Sequence, residues 1–285
     1  MNLRQAAELW DAYRAELCVL DRIAPTTLAN QRQIATGILA AIGDHDLEAL
    51  RKSHVDLWVA ARLQTCQPVT VQAGLGVLKQ ILNWCVDEQH LAKRPRLPTV
   101  TVANVERVLP SDADYIWYLR NLTPDKSEAL EFMLLTGLAP HELARLAVMD
   151  YRPDTNEVAI GDRADFRVKQ PARRRPIPLN ARASSIWIAH SLGRLHWQTV
   201  FPREGALQKS MRRLFLSRED APVGTNGLTP KMMRKWFASK IAVSHSEGLL
   251  QVLLGHAPGS TVTRKHYVRT SQMQREAAVA AIVPL

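Results

Sequence analysis

The chain has 285 residues, a length typical of two domains of roughly 100–150 residues each. Hydrophobic residues make up 46% of it, which is enough for packed cores, yet no apolar run approaches the ~20 residues that a membrane span needs. Residues 1–17 carry charges where a signal peptide has its apolar stretch. A soluble cytoplasmic protein without a membrane partner is therefore expected.

The formal net charge is +10, and it is unevenly distributed. Residues 1–100 contain 11 basic residues (Lys and Arg) and 10 acidic residues (Asp and Glu). Residues 101–285 contain the other 26 basic and 17 acidic residues. A basic domain attracts polyanions through its long-range field and through counterion release. Nucleic acid is thus the leading partner, with an acidic membrane surface as the competing one.

Three cysteines, Cys18, Cys66 and Cys85, are odd in number and widely spaced. This pattern favours neither a disulfide framework nor a zinc site. Small buried thiols in a reducing compartment are expected, and no metal is predicted.

Residues 3–92 have the apolar spacing of helices with short breaks. Two segments, Pro25-Thr26-Thr27 and Pro68-Val69-Thr70, are typical of helix starts, with a proline near a hydroxyl-bearing cap. The sequence therefore predicts a small all-α domain over residues 1–97. Prolines and the loss of apolar periodicity predict an interdomain linker over residues 98–108.

A second domain is predicted over residues 109–270, followed by a tail over 271–285. Its elements are, in order, a helix capped by Ser111 or Asp112 and running through Leu119, a helix over 126–135, a break at 136–138, a helix from Pro140, three strands over 157–160, 164–170 and 174–179, and helices from Ala181 onward. The short extended segments favour an antiparallel sheet. The predicted fold class is mainly α with a small antiparallel β-sheet, in two domains.

The segment after Leu228 combines a helix start with basic residues. Thr229 as cap and Pro230 as first helical residue place Lys231 and Arg234 on one face of the opening turn. Cations at this end oppose the helix dipole, and a bound phosphate would remove that conflict. An exposed basic turn without a ligand is the alternative.

A second basic segment surrounds Tyr267. Gly255 suits the residue after a helix end, which would hold His256 on a tight turn ahead of a helix that carries Tyr267. A tyrosine that attacks phosphorus needs cations on the phosphoryl oxygens, and Arg264 and Lys265 lie close in sequence. An ordinary half-buried tyrosine and a packing histidine are the alternatives.

Basic residues also fill the segment 166–179, which the strand pattern predicts to be a hairpin. Lys169 at its tip could reach the DNA backbone and protonate a leaving oxygen. The neighbouring arginines suit phosphate contacts better than base readout. A solvated basic hairpin is the alternative.

These segments follow Thr136-Gly137-Leu138-Ala139, with Glu142-Leu143 and Leu146 behind it. In this order they resemble the tyrosine recombinases, the site-specific recombinases that include the phage integrases. That family carries Thr-Gly-Leu-Arg followed by Glu-Leu and Leu, then a hairpin lysine, His-x-x-Arg, Leu-Gly-His and a terminal tyrosine. The resemblance covers nearly the whole chain, because the first helices are similar to the family's core-binding domain.

The resemblance implies a role for each matching position. Tyr267 would be the nucleophile that forms a 3′-phosphotyrosyl link, Arg234 a clamp on the nonbridging oxygens, Lys169 the acid for the leaving 5′ oxygen, and His256 a supporting hydrogen-bond donor. No metal or other cofactor is implied. The implied DNA-binding residues are Arg167, Arg173, Arg174, Arg175, Lys235, Arg264 and Lys265 in the second domain, with Thr70 and Lys79 in the first.

The implied partner is double-stranded DNA. The resemblance implies a monomer when free and a homotetramer on two DNA sites, and it leaves room for accessory proteins. It also implies a nucleoid-associated protein in the cytoplasm of a bacterium, or one of phage-like origin.

Two positions depart from the family pattern. Lys231 replaces the histidine of His-x-x-Arg, a change that keeps a proton donor. Ala139 replaces the first catalytic arginine, and a methyl group cannot donate the forked hydrogen bonds that neutralise a pentacovalent phosphorane. Glu142 and Leu143 fix the register, so neither His141 nor Arg145 falls on the missing position.

Ala139 leaves two readings open. One is a recombinase that cleaves and rejoins DNA, here disabled at a position where arginine was replaced by design. The other is a natural relative that binds DNA as a regulator or architectural protein without cutting it. A basic membrane-surface protein is disfavoured, because no segment combines a basic face with a broad exposed apolar face.

Overall fold

The computed structural model describes residues 1–103, 111–166, 168, 170–217, 228–257 and 260, without the side chains of 243 and 244. The chain divides into two compact units, Met1–Glu106 and Arg107–Leu285. The division lies inside the segment predicted as a linker, whose own limits stay a prediction.

The first unit consists of helices packed around one apolar core. They are α1 Leu3–Val19, α2 Pro25–Ile42, α3 Lys52–Thr65 and α4 Pro68–Asp87. The two predicted helix starts are confirmed, but the caps are Ala24 and Gln67, which give no side-chain cap hydrogen bond. Proline with its preset φ suits the first helical position by itself, so the threonines that follow lie within the helices.

The cysteines are free, and only one of them matches the expected burial. Cys85 is buried, which raises the pKa of its thiol to about 11, whereas Cys18 and Cys66 are half-buried. No helix in the described part of the chain is both long and apolar enough to cross a membrane.

The second unit combines helices with a small sheet, so the predicted fold class is confirmed. Its helices are α5 Asp112–Asn121, α6 Pro124–Thr136, α7 Pro140–Leu143, α8 Ala181–Ser191, α9 Glu204–Leu216, α10 Pro230–Ser244 and α11 Glu247–Leu254. Ser111 caps α5 as predicted, since its side chain accepts from the N–H of Asp114. The core of the unit contains Phe132, Val158, Ile177 and Trp187, all of them buried.

The sheet has strands β1 Tyr151–Arg152, β2 Glu157–Ile160 and β3 Arg175–Pro178, antiparallel in the order β1-β2-β3. Val158 pairs with both Tyr151 and Ile177 across this sheet. Prolines occur in β3 because it is an edge strand, where a missing N–H breaks no ladder. Of the three predicted strands, those at 157–160 and 174–179 are confirmed.

The predicted strand over 164–170 is wrong, since none of its described residues lies in a strand. Gly161, with φ +77°, turns the chain out of β2, and Phe166 is buried in the core. The chain then forms a single 3-10 turn, Pro171–Arg173, before β3 begins. The sequence did not predict β1, because a strand of two residues is too short to show an alternation of apolar and polar side chains. Within the described residues, the connection from β2 to β3 therefore has Phe166 packed in the core and leads through half-buried Arg173 to buried Arg175 at the start of β3.

Candidate functional site: an arginine cluster around Glu142

A buried carboxylate lies at the centre of the second unit's charged interior. Glu142 has no exposed surface, and Arg175 donates to both of its oxygens, with Nη1 to Oε1 at 3.3 Å and Nη2 to Oε2 at 3.1 Å. Arg173 Nη1 donates to Oε1 at 3.1 Å, and Arg234 Nη1 lies 3.4 Å from Oε2. Glu142, Arg173, Arg175 and Arg234 are referred to below as the arginine cluster.

Local sequence places Glu142 at this point. Gly137 ends α6 in the left-handed conformation, with φ +67°, and Ala139 is extended ahead of Pro140. Glu142 is then the third residue of α7, from which its carboxylate reaches back to the N–H of Ala139 at 2.9 Å. This is the usual backward contact of an acidic residue in the first turn of a helix, and it fixes the carboxylate beside residue 139.

Gly137 also allows α10 to approach closely. A Cβ added there would lie 2.4 Å from the ring of Phe237, so any side chain would push α10 away. The close approach brings Arg234 Nη1 within 3.0 Å of the carbonyl oxygen of Gly137. Phe237 itself is buried.

Arg234 joins three parts of the unit. Besides Gly137, it donates to the carbonyl oxygen of Leu254, and its Nη2 lies 3.3 Å from His256 Nε2. Its side chain is 2% exposed, whereas Lys231, one turn earlier on the same helix, is exposed. The opening turn of α10 is therefore not a simple basic surface, because only Lys231 of the two cations is exposed to solvent.

The turn after α11 brings His256 to the cluster. Gly255 has φ +62°, and a Cβ there would lie 2.8 Å from Arg175 Nη1 and 2.9 Å from the Cα of Arg173. This confirms the predicted helix end at Gly255. The turn thus packs directly against the arginines of β3 and of the loop before it.

The charges of the cluster change the acid–base behaviour of its members. Burial alone would raise the pKa of Glu142, but the charges of Arg175 and Arg234 and the hydrogen bonds from Arg175 and the N–H of Ala139 bring it down to about 2. Burial lowers the pKa of His256 to about 4, together with the charges of Arg234, Arg173 and Arg175 and against that of Glu142. His256 is therefore neutral at pH 7. Since a guanidinium can only donate, Nε2 accepts from Arg234 and the ring proton is assigned to Nδ1.

At neutral pH the cluster combines three guanidinium groups with one carboxylate, a net charge of +2 in a mostly buried region. Buried charge is costly unless a partner compensates it. Such an arrangement suits an anion with several acceptor oxygens. No group of three His, Cys, Asp or Glu residues in the described ranges could hold a metal ion.

The other predicted residues among those described differ in their exposure to solvent. Arg174 is exposed, Lys235 is half-buried, and Thr70 and Lys79 are exposed on α4 in the first unit. Arg175, predicted to contact phosphate, is buried, and its donors go to Glu142, to the carbonyl oxygen of Leu253 and to that of Arg173. Five predicted site residues lie outside the described residues: Arg167, Lys169, Arg264, Lys265 and Tyr267.

Sequence reasoning missed the central role of Glu142. It treated this residue as a marker of register, although a glutamate in the first turn after an alanine cap is a signal for a backward contact to the backbone. The convergence of Arg173, Arg175 and Arg234 on it carries no local signal, because these residues are 31 to 92 positions away in the chain.

No family model matches the sequence, and no curated protein matches it significantly. Among solved structures, the integrase of transposon Tn1549 in complex with circular intermediate DNA matches with a TM-score of 0.72 and 17% identity, covering 98% of this chain and 99% of that one. A lambda integrase dimer bound to a COC′ core site matches with a TM-score of 0.75 and 13% identity, over 95% and 97% of the two chains. A lambda integrase tetramer bound to a Holliday junction matches with a TM-score of 0.74 and 14% identity, covering 95% of this chain and 80% of that one. The predicted resemblance is thereby confirmed for the fold.

Proposed function

We propose that this protein binds duplex DNA and is built as a site-specific recombinase that cuts and rejoins strands through Tyr267. The observation that carries this proposal is the arginine cluster beside His256, whose excess positive charge fits a phosphodiester. The similar folds are those of integrases solved on DNA, which makes duplex DNA the first ligand to test. Cytoplasmic, nucleoid-associated action and assembly of a tetramer on two sites form part of the proposal.

In the proposed reaction the Tyr267 oxygen attacks phosphorus and its phenol proton passes to water, the bond from phosphorus to the 5′ oxygen breaks, and that oxygen takes a proton from Lys169. Arg234 donates to the nonbridging oxygens, and neutral His256 adds a hydrogen bond. Lys231 supplies a further cation at the opening turn of α10. The phosphotyrosyl bond conserves the energy of the broken bond, so a 5′ hydroxyl can reverse the step without an external energy source.

Ala139 limits the chemistry in this proposal. Its methyl group is buried next to Glu142 and offers no donor to an oxyanion. Loss of one preorganised donor costs on the order of 3–4 kcal/mol in the transition state. We therefore propose slow cleavage by the chain as it stands. A regulator that binds DNA without cutting is the second candidate, favoured by Ala139 together with Lys231.

DNA binding is tested first, by measuring the affinity for duplex DNA as a function of salt. Phosphate contacts release counterions, so the logarithm of the affinity should fall with the logarithm of the salt concentration by about 0.9 for each phosphate neutralised. An affinity for duplex DNA that does not change with salt would exclude binding through phosphate contacts, and a lack of measurable affinity would remove duplex DNA as the partner.

Cleavage is tested with a suicide substrate that traps the covalent complex. We expect Ala139→Arg to raise covalent complex formation at least tenfold, because the new guanidinium supplies the donor that alanine lacks. Tyr267→Phe in the same background is the control and should abolish the trapped complex. If the arginine variant binds DNA and still traps nothing, the regulator becomes the better description.

A further inference from the structure

We propose that Arg173 binds the phosphate of the bound ligand in place of an arginine at position 139, whereas the additional donor that the transition state needs stays missing. The inference rests on the proposed function, since it assumes that the ligand of the arginine cluster is a phosphate of DNA. It assigns a task within that site to a residue that the sequence placed among general backbone contacts.

Arg173 and Ala139 are held by the same carboxylate. Arg173 Nη1 donates to Glu142 Oε1 at 3.1 Å, while the N–H of Ala139 donates to Oε2 at 2.9 Å. Two groups bound to the two oxygens of one carboxylate are neighbours in space. The guanidinium of Arg173 therefore lies beside the backbone from which an arginine at position 139 would project.

The three arginines differ in what they still offer a ligand. The side chains of Arg175 and Arg234 are 4% and 2% exposed, and both donate to backbone carbonyl oxygens as well as to Glu142. Arg173 is 20% exposed, and its guanidinium has one hydrogen bond among the described residues, to Glu142. A guanidinium has five N–H donors, so Arg173 retains donors that can form hydrogen bonds to a phosphate.

Arg173 also lies beside the turn that carries His256. A Cβ added at Gly255, the residue before His256, would be 2.9 Å from the Cα of Arg173. His256 in turn lies 3.3 Å from Arg234. Arg173 reaches Glu142 from the loop before β3, and Arg234 reaches it from α10. The positive charge of Arg234 therefore adds to the attraction for an anion that the remaining donors of Arg173 bind.

The first experiment uses inorganic phosphate as the probe. The unfolding temperature is followed during a phosphate titration at constant ionic strength, where saturable stabilisation gives the affinity. We expect Arg173→Ala to weaken phosphate binding at least tenfold and Arg173→Lys to weaken it less. Arg182→Ala is the control: it removes the same charge from an exposed ion pair with Glu131 on α6 and should leave the affinity unchanged.

Unchanged phosphate affinity in Arg173→Ala would overturn the assignment. If this variant does not fold, Arg173→Lys decides, because it keeps the charge and loses only the forked geometry. A loss of affinity in Arg173→Lys supports the proposal, and an affinity equal to that of the starting protein refutes it.

A second experiment combines positions 139 and 173. If Arg173 does the work of the missing arginine, then Ala139→Arg should raise phosphate affinity more in the Arg173→Ala background than in the starting protein, by at least fivefold. Equal gains in both backgrounds would show that the two positions act independently and would contradict the proposal. Duplex DNA is titrated in parallel. A protein that binds phosphate through Arg173 but binds no duplex would overturn the proposed function and leave the phosphate assignment standing.

Discussion

Glu142 shows how one residue can organise a charged site. Its carboxylate holds guanidinium groups from the loop before β3, from β3 itself and from α10, and it accepts an N–H from its own helix start. Without this negative charge, three arginines would repel one another in a region with little water to screen them. The carboxylate therefore stabilises the second unit and also fixes the positions of the three guanidinium groups.

We predict that Glu142→Gln lowers the free energy of unfolding at pH 7 by about 3–5 kcal/mol, because it leaves buried positive charge uncompensated. The matched control is Glu131→Gln, which breaks the exposed pair with Arg182 and should cost about 1 kcal/mol or less. Urea unfolding of both variants measures the difference. Equal losses in the two variants would contradict the central role of Glu142.

The same carboxylate predicts a dependence of stability on pH. The pKa of Glu142 is depressed to about 2 from an ordinary value of 4.5, so its stabilisation is complete above pH 4.5 and is lost as the pH falls toward 2. A depression of this size corresponds to roughly 3 kcal/mol. The gap in unfolding free energy between the starting protein and Glu142→Gln should therefore narrow by about that amount across this range. A gap that stays constant would show that the carboxylate is not the group that titrates.

Residues with a local signal were predictable from sequence, and residues defined by distant partners were not. Gly137, Ser111 and Gly255 each have a conformational or capping preference that acts within a few residues, and the structure confirms where they place helix ends. The pairing of Glu142 with Arg175 and Arg234 depends on the packing of elements far apart in the chain. Charge pattern alone predicted that arginines matter there, but not that they share one buried partner.

At the scale of elements, periodic segments were predicted well and irregular ones were not. Helices α4 and α10 carry apolar residues at helical spacing after a proline, which local physics can identify. Residues 164–169 alternate apolar and charged side chains, which is the pattern typical of a half-buried strand. In the structure Phe166 is instead drawn into the core, which shows tertiary packing overriding local preference.

The end of α11 gives a prediction at this scale. We expect Gly255→Ala to destabilise the second unit by about 2 kcal/mol or more, because alanine resists φ +62° and its Cβ would meet the backbone of Arg173 at 2.9 Å. It should also weaken phosphate binding, since it displaces the residue that we assign to the phosphate.

Gly248→Ala, at the other end of the same helix, is the control. A Cβ there meets nothing closer than 4.0 Å, so alanine should be neutral or should stabilise by up to about 1 kcal/mol. Thermal unfolding of the two variants makes the comparison. If Gly255→Ala behaves like Gly248→Ala, the turn after α11 is not the tight contact described above.

For the whole molecule, length predicted two domains and charge favoured a nucleic-acid partner, and the fold is similar to that of integrases solved on DNA. Most of the excess positive charge, 26 basic against 17 acidic residues, belongs to positions 101–285. The assembly of several copies is a prediction from the sequence of residues 271–285, which lie outside the described residues.

The composition of this tail supports a prediction about assembly. Its sequence is polar from Ser271 to Glu276 except for Met273, and it is apolar from Ala277 to Leu285. Each fully buried valine or isoleucine side chain contributes roughly 1.5–3 kcal/mol, so the apolar half gains by finding a surface to cover. The proposed recombinase function favours a surface on a neighbouring copy, with packing on its own domain as the alternative. Head-to-tail contacts close only when every copy of a ring is present, so the free protein should be largely monomeric.

We therefore expect deletion of residues 277–285 to leave binding to a single duplex site nearly unchanged and to abolish the slower-migrating complexes in a gel-shift titration. The physical reason is that single-site binding depends on the basic residues of each copy, whereas the larger complexes depend on contacts between copies. Replacing Ile282 and Val283 by serine keeps the length and should give the same result in milder form. Thermal unfolding of the truncated protein separates the alternatives. A truncated chain that melts like the full chain supports docking between copies, while a large drop in its unfolding temperature would show that the tail belongs to the core of its own domain.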